Sequence, residues 1–153
     1  MPATEIHHTG ITVSDLERSI AFYCDLLGMR VVMRQEKQGG YLGRITGYPH
    51  AHVRMAQLEL PGGGHRLELF EYVEPKGRAN AAAPCDIGIT HTCFVVDDLP
   101  VLYDRLQAAG VPCASPPVEI DTGVNRGGAG LYTRDPDGTV VELFQAPPRA
   151  EGS

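Results

Sequence analysis

One stretch occurs twice in this chain, and that repetition limits the possible folds more than any other feature. His8-Thr9-Gly10-Ile11-Thr12-Val13-Ser14-Asp15-Leu16 returns as His91-Thr92-Cys93-Phe94-Val95-Val96-Asp97-Asp98-Leu99. Histidine falls on histidine, Thr9 on Thr92, Val13 on Val96, and the Asp-Leu pair on its counterpart. Each copy is a β-branched, apolar run that leads into a helical pattern. Long-range self-similarity of this kind marks a duplicated supersecondary unit. A second match closes the units: Pro61-Gly62-Gly63-Gly64 precedes Glu68-Leu69-Phe70, and Asp135-Pro136-Asp137-Gly138 precedes Glu142-Leu143-Phe144 at the same spacing. Two histidines and two glutamates therefore stand at equivalent places in two half-domains.

The chain in order predicts two βαβββ units. Alternation over Glu5–Val13 indicates a strand with His8, Gly10 and Thr12 on one face. Ser14-Asp15-Leu16-Glu17 reads as a capping box, with Ser14 as the acceptor and Glu17 reaching back. Leu16, Ile20, Tyr23 and Leu27 keep helical spacing, and Gly28 closes the helix. A strand near Met29–Met33 follows, then a turn-rich loop from Gln38 to Pro49. Val53–Leu60 and Arg66–Tyr72 form a hairpin around the Pro-Gly-Gly-Gly turn. In the second unit, His91–Val96 is a strand and Leu99–Ala109 a helix, capped by Asp97 or Asp98 and ended by Gly110. A strand near Val118–Asp121 and a hairpin from Leu131 to Gln145 complete it. The expectation is an α+β fold in a single domain spanning 1–153. Its modules cover about 5–73 and 90–146, joined by a loop over about 74–89.

Composition narrows the partners. The 153 residues are 42% hydrophobic and 21% charged, and the net charge of −6 is unsuited to nucleic acid or an anionic membrane surface. The N-terminal sequence lacks a signal-peptide pattern, and no apolar run is long enough to span a bilayer. Cys24, Cys85, Cys93 and Cys113 have neither metal-type nor disulfide-framework spacing, as expected of reduced thiols in a cytoplasmic protein.

The repeated polar residues carry the chemistry. A four-residue turn sets Glu68 opposite Gln57, on a face shared with Met55 and Phe70. The same reasoning sets Glu142 opposite Leu131, on a face with Thr133 and Phe144. A carboxylate among inward apolar residues is costly unless paired, protonated or bound to a cation. Two such glutamates with two strand histidines make a divalent-metal set: imidazole suits Zn, Ni, Co or Fe, and carboxylate adds hard oxygen. Taken singly, each residue has a plain alternative, a hydrogen-bonded strand histidine or a solvated glutamate. His7 points to the opposite face and reads as structural. His50-x-His52 has the wrong parity to join Glu68 unless a bulge intervenes. Cys93 reads as a small buried residue, with a site-lining thiol as the alternative. Arg126, among glycines, is a candidate for holding a substrate carboxylate or phosphate, against the plainer reading of a surface loop arginine.

These residues resemble the vicinal oxygen chelate superfamily, which includes glyoxalase I, methylmalonyl-CoA epimerase, bleomycin-resistance proteins and extradiol dioxygenases. The likeness rests on His8-x-Gly10-Ile11-x-Val13-x-Asp15-Leu16, Phe22-Tyr23 with Leu27-Gly28, and Leu67-Glu68-Leu69. It continues in His91 before Val96-Asp97-Asp98-Leu99 and in Asp135-Pro136-Asp137-Gly138 with Glu142-Leu143. It implies paired βαβββ modules forming a curved mixed sheet around a metal-binding cleft, usually in a homodimer. It also implies His8, Glu68, His91 and Glu142 as ligands of one divalent ion (Ni, Co, Zn, Mn or Fe). Four protein ligands on a six-coordinate ion suit Lewis-acid proton abstraction next to a carbonyl of a small oxygenated substrate, in a lyase or isomerase. Glu142 is the expected base and Glu68 its module-symmetric alternative. An Fe(II) ring-cleaving dioxygenase is the first rival, although Glu68 would fill the position that O₂ needs. A bleomycin-resistance-like binding protein is the second, although such members generally lack the metal set. Half-sheets with long open edges also favour a homodimer.

Overall fold

The computed structural model describes residues 2–80 and 82–148, divided into two compact units, Met1–Ala79 and Asn80–Ser153. The first unit runs β1 (His8–Val13), α1 (Leu16–Ala21) continued by a π-helical turn Phe22–Leu26, β2 (Arg30–Gln38), α2 (Gly40–Thr46), β3 (His52–Glu59) and β4 (Arg66–Glu74). Its sheet has the order β1-β4-β3-β2, with β1 parallel to β4 and the other pairs antiparallel. The second unit runs β5 (Thr92–Val95), α3 (Leu99–Ala108), β6 (Val118–Glu119), β7 (Ala129–Arg134) and β8 (Val140–Gln145). Its order, β5-β8-β7-β6, repeats the first with the same parallel pair. The fold is thus α+β, with two four-stranded mixed sheets among the described residues. The duplication read from the sequence reappears as duplicated topology.

Alternation gives the first sheet two different faces. Ile11, Val13, Ala56, Leu58, Leu67 and Leu69 share the face against which α1 packs, with Leu16, Ile20, Phe22 and Tyr23 buried there. Burying side chains of this size contributes about 1.5–3 kcal/mol each, which makes this face the anchor of the unit. The opposite face carries His8, Gly10, Gln57, Glu68 and Phe70, as the register Gly10↔Glu68 and Gln57↔Glu68 requires. In the second unit Leu131, Val141 and Leu143 are buried in the sheet, and Leu99, Leu102 and Leu106 in α3.

Three local expectations are corrected. The first helix is capped by Asp15, whose carboxylate accepts from the Arg18 amide at 2.9 Å. Ser14 Oγ accepts from the Arg18 guanidinium, and Glu17 pairs with the Arg34 fork. The stretch expected as a loop holds α2, while β2 runs on to Gln38. Glycines that read as turn signals form the ends of this helix: Gly39 and Gly40 enter with positive φ, and Gly47 leaves at φ 78°. Leu42 then packs with Ala51, Val53 and Met55, against which Met33, Phe70 and Tyr72 also lie.

The third correction is one of register. Glu142 faces Tyr132, and Leu131 faces Leu143. The turn has five residues, because the Asp135 carboxylate accepts from the amides of both Asp137 and Thr139, at 2.9 and 2.8 Å. That draws Thr139 out of the strand and shifts the pairing by one position.

Gly43 marks the closest approach in α2. A Cβ there would meet the carbonyl oxygens of Tyr48 and Pro49 at 2.7 and 2.8 Å. Gly43→Ala is therefore expected to lower the unfolding free energy by about 1–3 kcal/mol, as overpacking does, despite alanine's better helix propensity. Urea titration followed by circular dichroism checks this; an unchanged or raised midpoint would contradict the steric account.

Candidate metal-binding residues

The four repeated residues come together as two pairs, one in each unit. His8 opens β1 and Glu68 lies in mid β4, on strands that are parallel neighbours. His8 Nε2 stands 3.2 Å from Glu68 Oε2. His91 immediately precedes β5 and Glu142 lies in β8, again on parallel neighbours, with Nε2 to Oε2 at 2.9 Å. Among the described residues, no group of three or more His, Cys, Asp or Glu side chains is gathered to hold one ion.

The surroundings of the pairs differ. Glu68 is buried, its side chain 10% exposed, and its second oxygen accepts from Gln57 Nε2 at 2.8 Å. Gln57 Oε1 accepts in turn from Arg66 at 3.3 Å. The same guanidinium reaches Glu59 at 3.3 Å, and Arg30 meets Glu59 at 2.6 Å. On the histidine side, the Nδ1 atoms of His7 and His8 lie 2.8 Å apart, one donating to the other, with the rings edge-on. That contact orients the His8 ring and leaves Nε2 toward Glu68. His7 is thus a direct neighbour of the pair, beyond the purely structural role expected of it.

Glu142 is more open, its side chain 29% exposed. Facing it across the sheet are Tyr132, whose ring packs at 5.2 Å from that of His91, and Cys93 in β5. Cys93 is exposed, contrary to the buried reading. Partial removal of the sulfur from water, the Glu142 charge and a hydrogen bond to that carboxylate push its thiol up to about 11.

The remaining candidates lie elsewhere. His52 instead meets Glu36 at 2.5 Å, although the register does shift between His52 and Val53. Arg126 is exposed in a turn of the loop between β6 and β7, its amide donating to Gly123 O at 3.2 Å. Among the described residues it makes no hydrogen bond or ion pair with either His–Glu pair. Sequence reasoning set Gln57 opposite Glu68 but gave it no role, and passed over Arg66 and Tyr132. A polar residue directly opposite a buried glutamate was the available signal for Gln57.

Duplicated βαβββ modules, each with a histidine and a glutamate on its two parallel strands, define a recognisable class of protein. The family model described as the Glyoxalase/Bleomycin resistance protein/Dioxygenase superfamily matches residues 5–143, and the chain belongs to that superfamily. It is 30% identical to a 2-epi-5-epi-valiolone epimerase from Actinomyces sp., over 95% of this chain and 81% of the relative. It is 29% identical to a probable lactoylglutathione lyase from Vibrio parahaemolyticus, over 92% of this chain and 89% of the relative. In fold it matches the crystal structure of a glyoxalase family protein from Bacillus cereus with a TM-score of 0.85 and 23% identity, covering 97% of each chain.

A thiol raised to about 11 is almost wholly protonated at neutral pH. In metal-free protein, Cys93 should therefore react with iodoacetamide at pH 8 about 100-fold more slowly than an unperturbed thiol, and faster as pH climbs toward 11. Glu142→Gln removes the charge but not the partial removal of the sulfur from water, so it should speed the reaction only in part. Peptide-resolved mass spectrometry checks both statements; alkylation of Cys93 at an unperturbed rate at pH 8 would refute them.

Proposed function

We propose that this chain is a divalent-metal-dependent lyase or isomerase that moves a proton at a carbon next to a carbonyl of a small oxygenated substrate. His8, Glu68, His91 and Glu142 hold the ion, and Glu142 is the base. The observation that carries the reading is the donor spacing within each pair, 3.2 and 2.9 Å. Neighbouring ligands of a six-coordinate ion with bonds of about 2.1 Å stand about 3 Å apart, so each pair has the geometry of two adjacent ligands. An imidazole and a carboxylate from each module fit Ni, Co, Zn, Mn or Fe.

A divalent ion at such a site supplies Lewis-acid polarisation of the carbonyl, which acidifies the neighbouring C–H. The chain's own residues do the rest. Glu142 accepts the proton, because its carboxylate is the more exposed of the two and, among the described residues, is not clamped by an amide as Glu68 is. The same carboxylate delivers the proton to the neighbouring carbon, which is the glyoxalase-type outcome, whereas inversion at the original carbon requires a second proton donor on the opposite face. Glu68 stays in place as a ligand. Relatives named as an epimerase and a lyase support this class of reaction. Two carboxylates in the set argue against the ring-cleaving dioxygenase, whose iron needs one carboxylate and three open positions.

The active species is proposed to be a homodimer. Strands β1, β2, β5 and β6 are sheet edges, and native proteins usually cover such edges. Light scattering at micromolar concentration should give the mass of two chains, and a monomer alone would remove this part of the reading.

The decisive test uses Glu142→Gln. Glutamine keeps the size and one ligating oxygen but is a far poorer base. The variant should retain most of the bound metal and lose turnover by about 100-fold or more. It should also lose exchange of the acidic substrate proton in D₂O, followed by NMR on a panel of 2-hydroxy ketones and glutathione hemithioacetals. Exchange at the parent rate with metal still held would exclude Glu142 as the base. Oxygen uptake with catechols would point to the dioxygenase instead, and failure of every divalent ion to bind would point to a binding protein.

A further inference from the structure

We infer that Gln57, oriented by Arg66, is a positioning residue that fixes Glu68 as the permanent carboxylate ligand and leaves proton movement to Glu142. The inference rests on the metal-binding role proposed above. An arginine side chain has only donors, so the Gln57 atom 3.3 Å from Arg66 Nη1 is the carbonyl oxygen. The amide nitrogen must then face Glu68, and it does so at 2.8 Å. This settles the polarity of the chain of bonds. Arg66 is itself anchored by Glu59, which also takes Arg30.

Glu68 Oε1 thereby holds the amide, which favours Oε2, 3.2 Å from His8 Nε2, as the oxygen for an ion. Gln57, Glu59 and Glu68 are 9%, 9% and 8% exposed, so little water is at hand to replace the amide if the carboxylate turns. Among the described residues, the second module has no amide hydrogen bond to its glutamate of this kind. The residue facing Glu142 is Tyr132, whose ring lies against His91, and its other neighbour is Cys93, a weak donor. Two glutamates equivalent in the repeat are thus made unequal by the residue opposite each.

Gln57→Met keeps side-chain length and removes the donor. Cobalt(II) binding to the metal-free full chain, measured against a competing chelator, should weaken by about 10–100-fold, and the visible spectrum of the cobalt-loaded protein should shift. In a Glu68→Ala background the same substitution should weaken binding no further, because the amide then has no carboxylate to hold. Arg66→Met, which frees the amide to rotate, should act in the same direction and more weakly. It carries the test if Gln57→Met loses its folded circular dichroism spectrum. Parental affinity and spectrum in Gln57→Met, or equal weakening in the Glu68→Ala background, would overturn this assignment alone. A parent chain that binds no cobalt would overturn the metal-dependent function itself.

Discussion

A carboxylate buried in the middle of a sheet is the constraint on which the first module turns. Desolvating such a group costs several kcal/mol unless its lone pairs are used, and the strands around Glu68 are arranged to use them. β3 supplies the Gln57 amide and β1 supplies the His8 imidazole. The register that brings both to one residue is the same register that buries Leu67 and Leu69 against α1. A slip by one position would expose the leucines and bury the wrong polar groups. Stability and the candidate site are therefore fixed by one pairing.

Much of this was legible in the sequence, for identifiable reasons. The duplication fixed the element order, because histidine, cap and turn recur in step. The pairing of Glu68 with Gln57 followed from a turn of plain length. The second hairpin misled because Asp135 bonds two amides beyond it and lengthens the loop, an effect of one side chain that turn statistics do not weigh. Helix α2 was hidden because glycine signals both turns and helix ends, and only Leu42 and Gly43 are buried along it. The cap at Asp15 was a choice between adjacent acceptors, decided when Glu17 found Arg34. Which carboxylate each amide would reach depended on side-chain orientation, and periodicity carries no record of that.

The modules share topology while differing in finish. The first has long central strands, a helix between β2 and β3, and an apolar cluster on the face that also bears Glu68. The second has a two-residue edge strand and a glycine-rich loop carrying Arg126. What the repeat retains is the histidine and glutamate on the parallel strands; what it varies is everything that faces them.

Helix α2 also bears on how a scaffold of this kind diversifies. It occupies the connection between two strands that pair directly over most of their length. Lengthening or shortening such a connection changes closure entropy only slowly, by about 0.6 kcal/mol per doubling. The strands bearing His8 and Glu68 lie on the far side of β3 and are not part of that connection. The length of this connection can therefore change at little entropic cost while β1 and β4 keep the pairing that aligns His8 with Glu68.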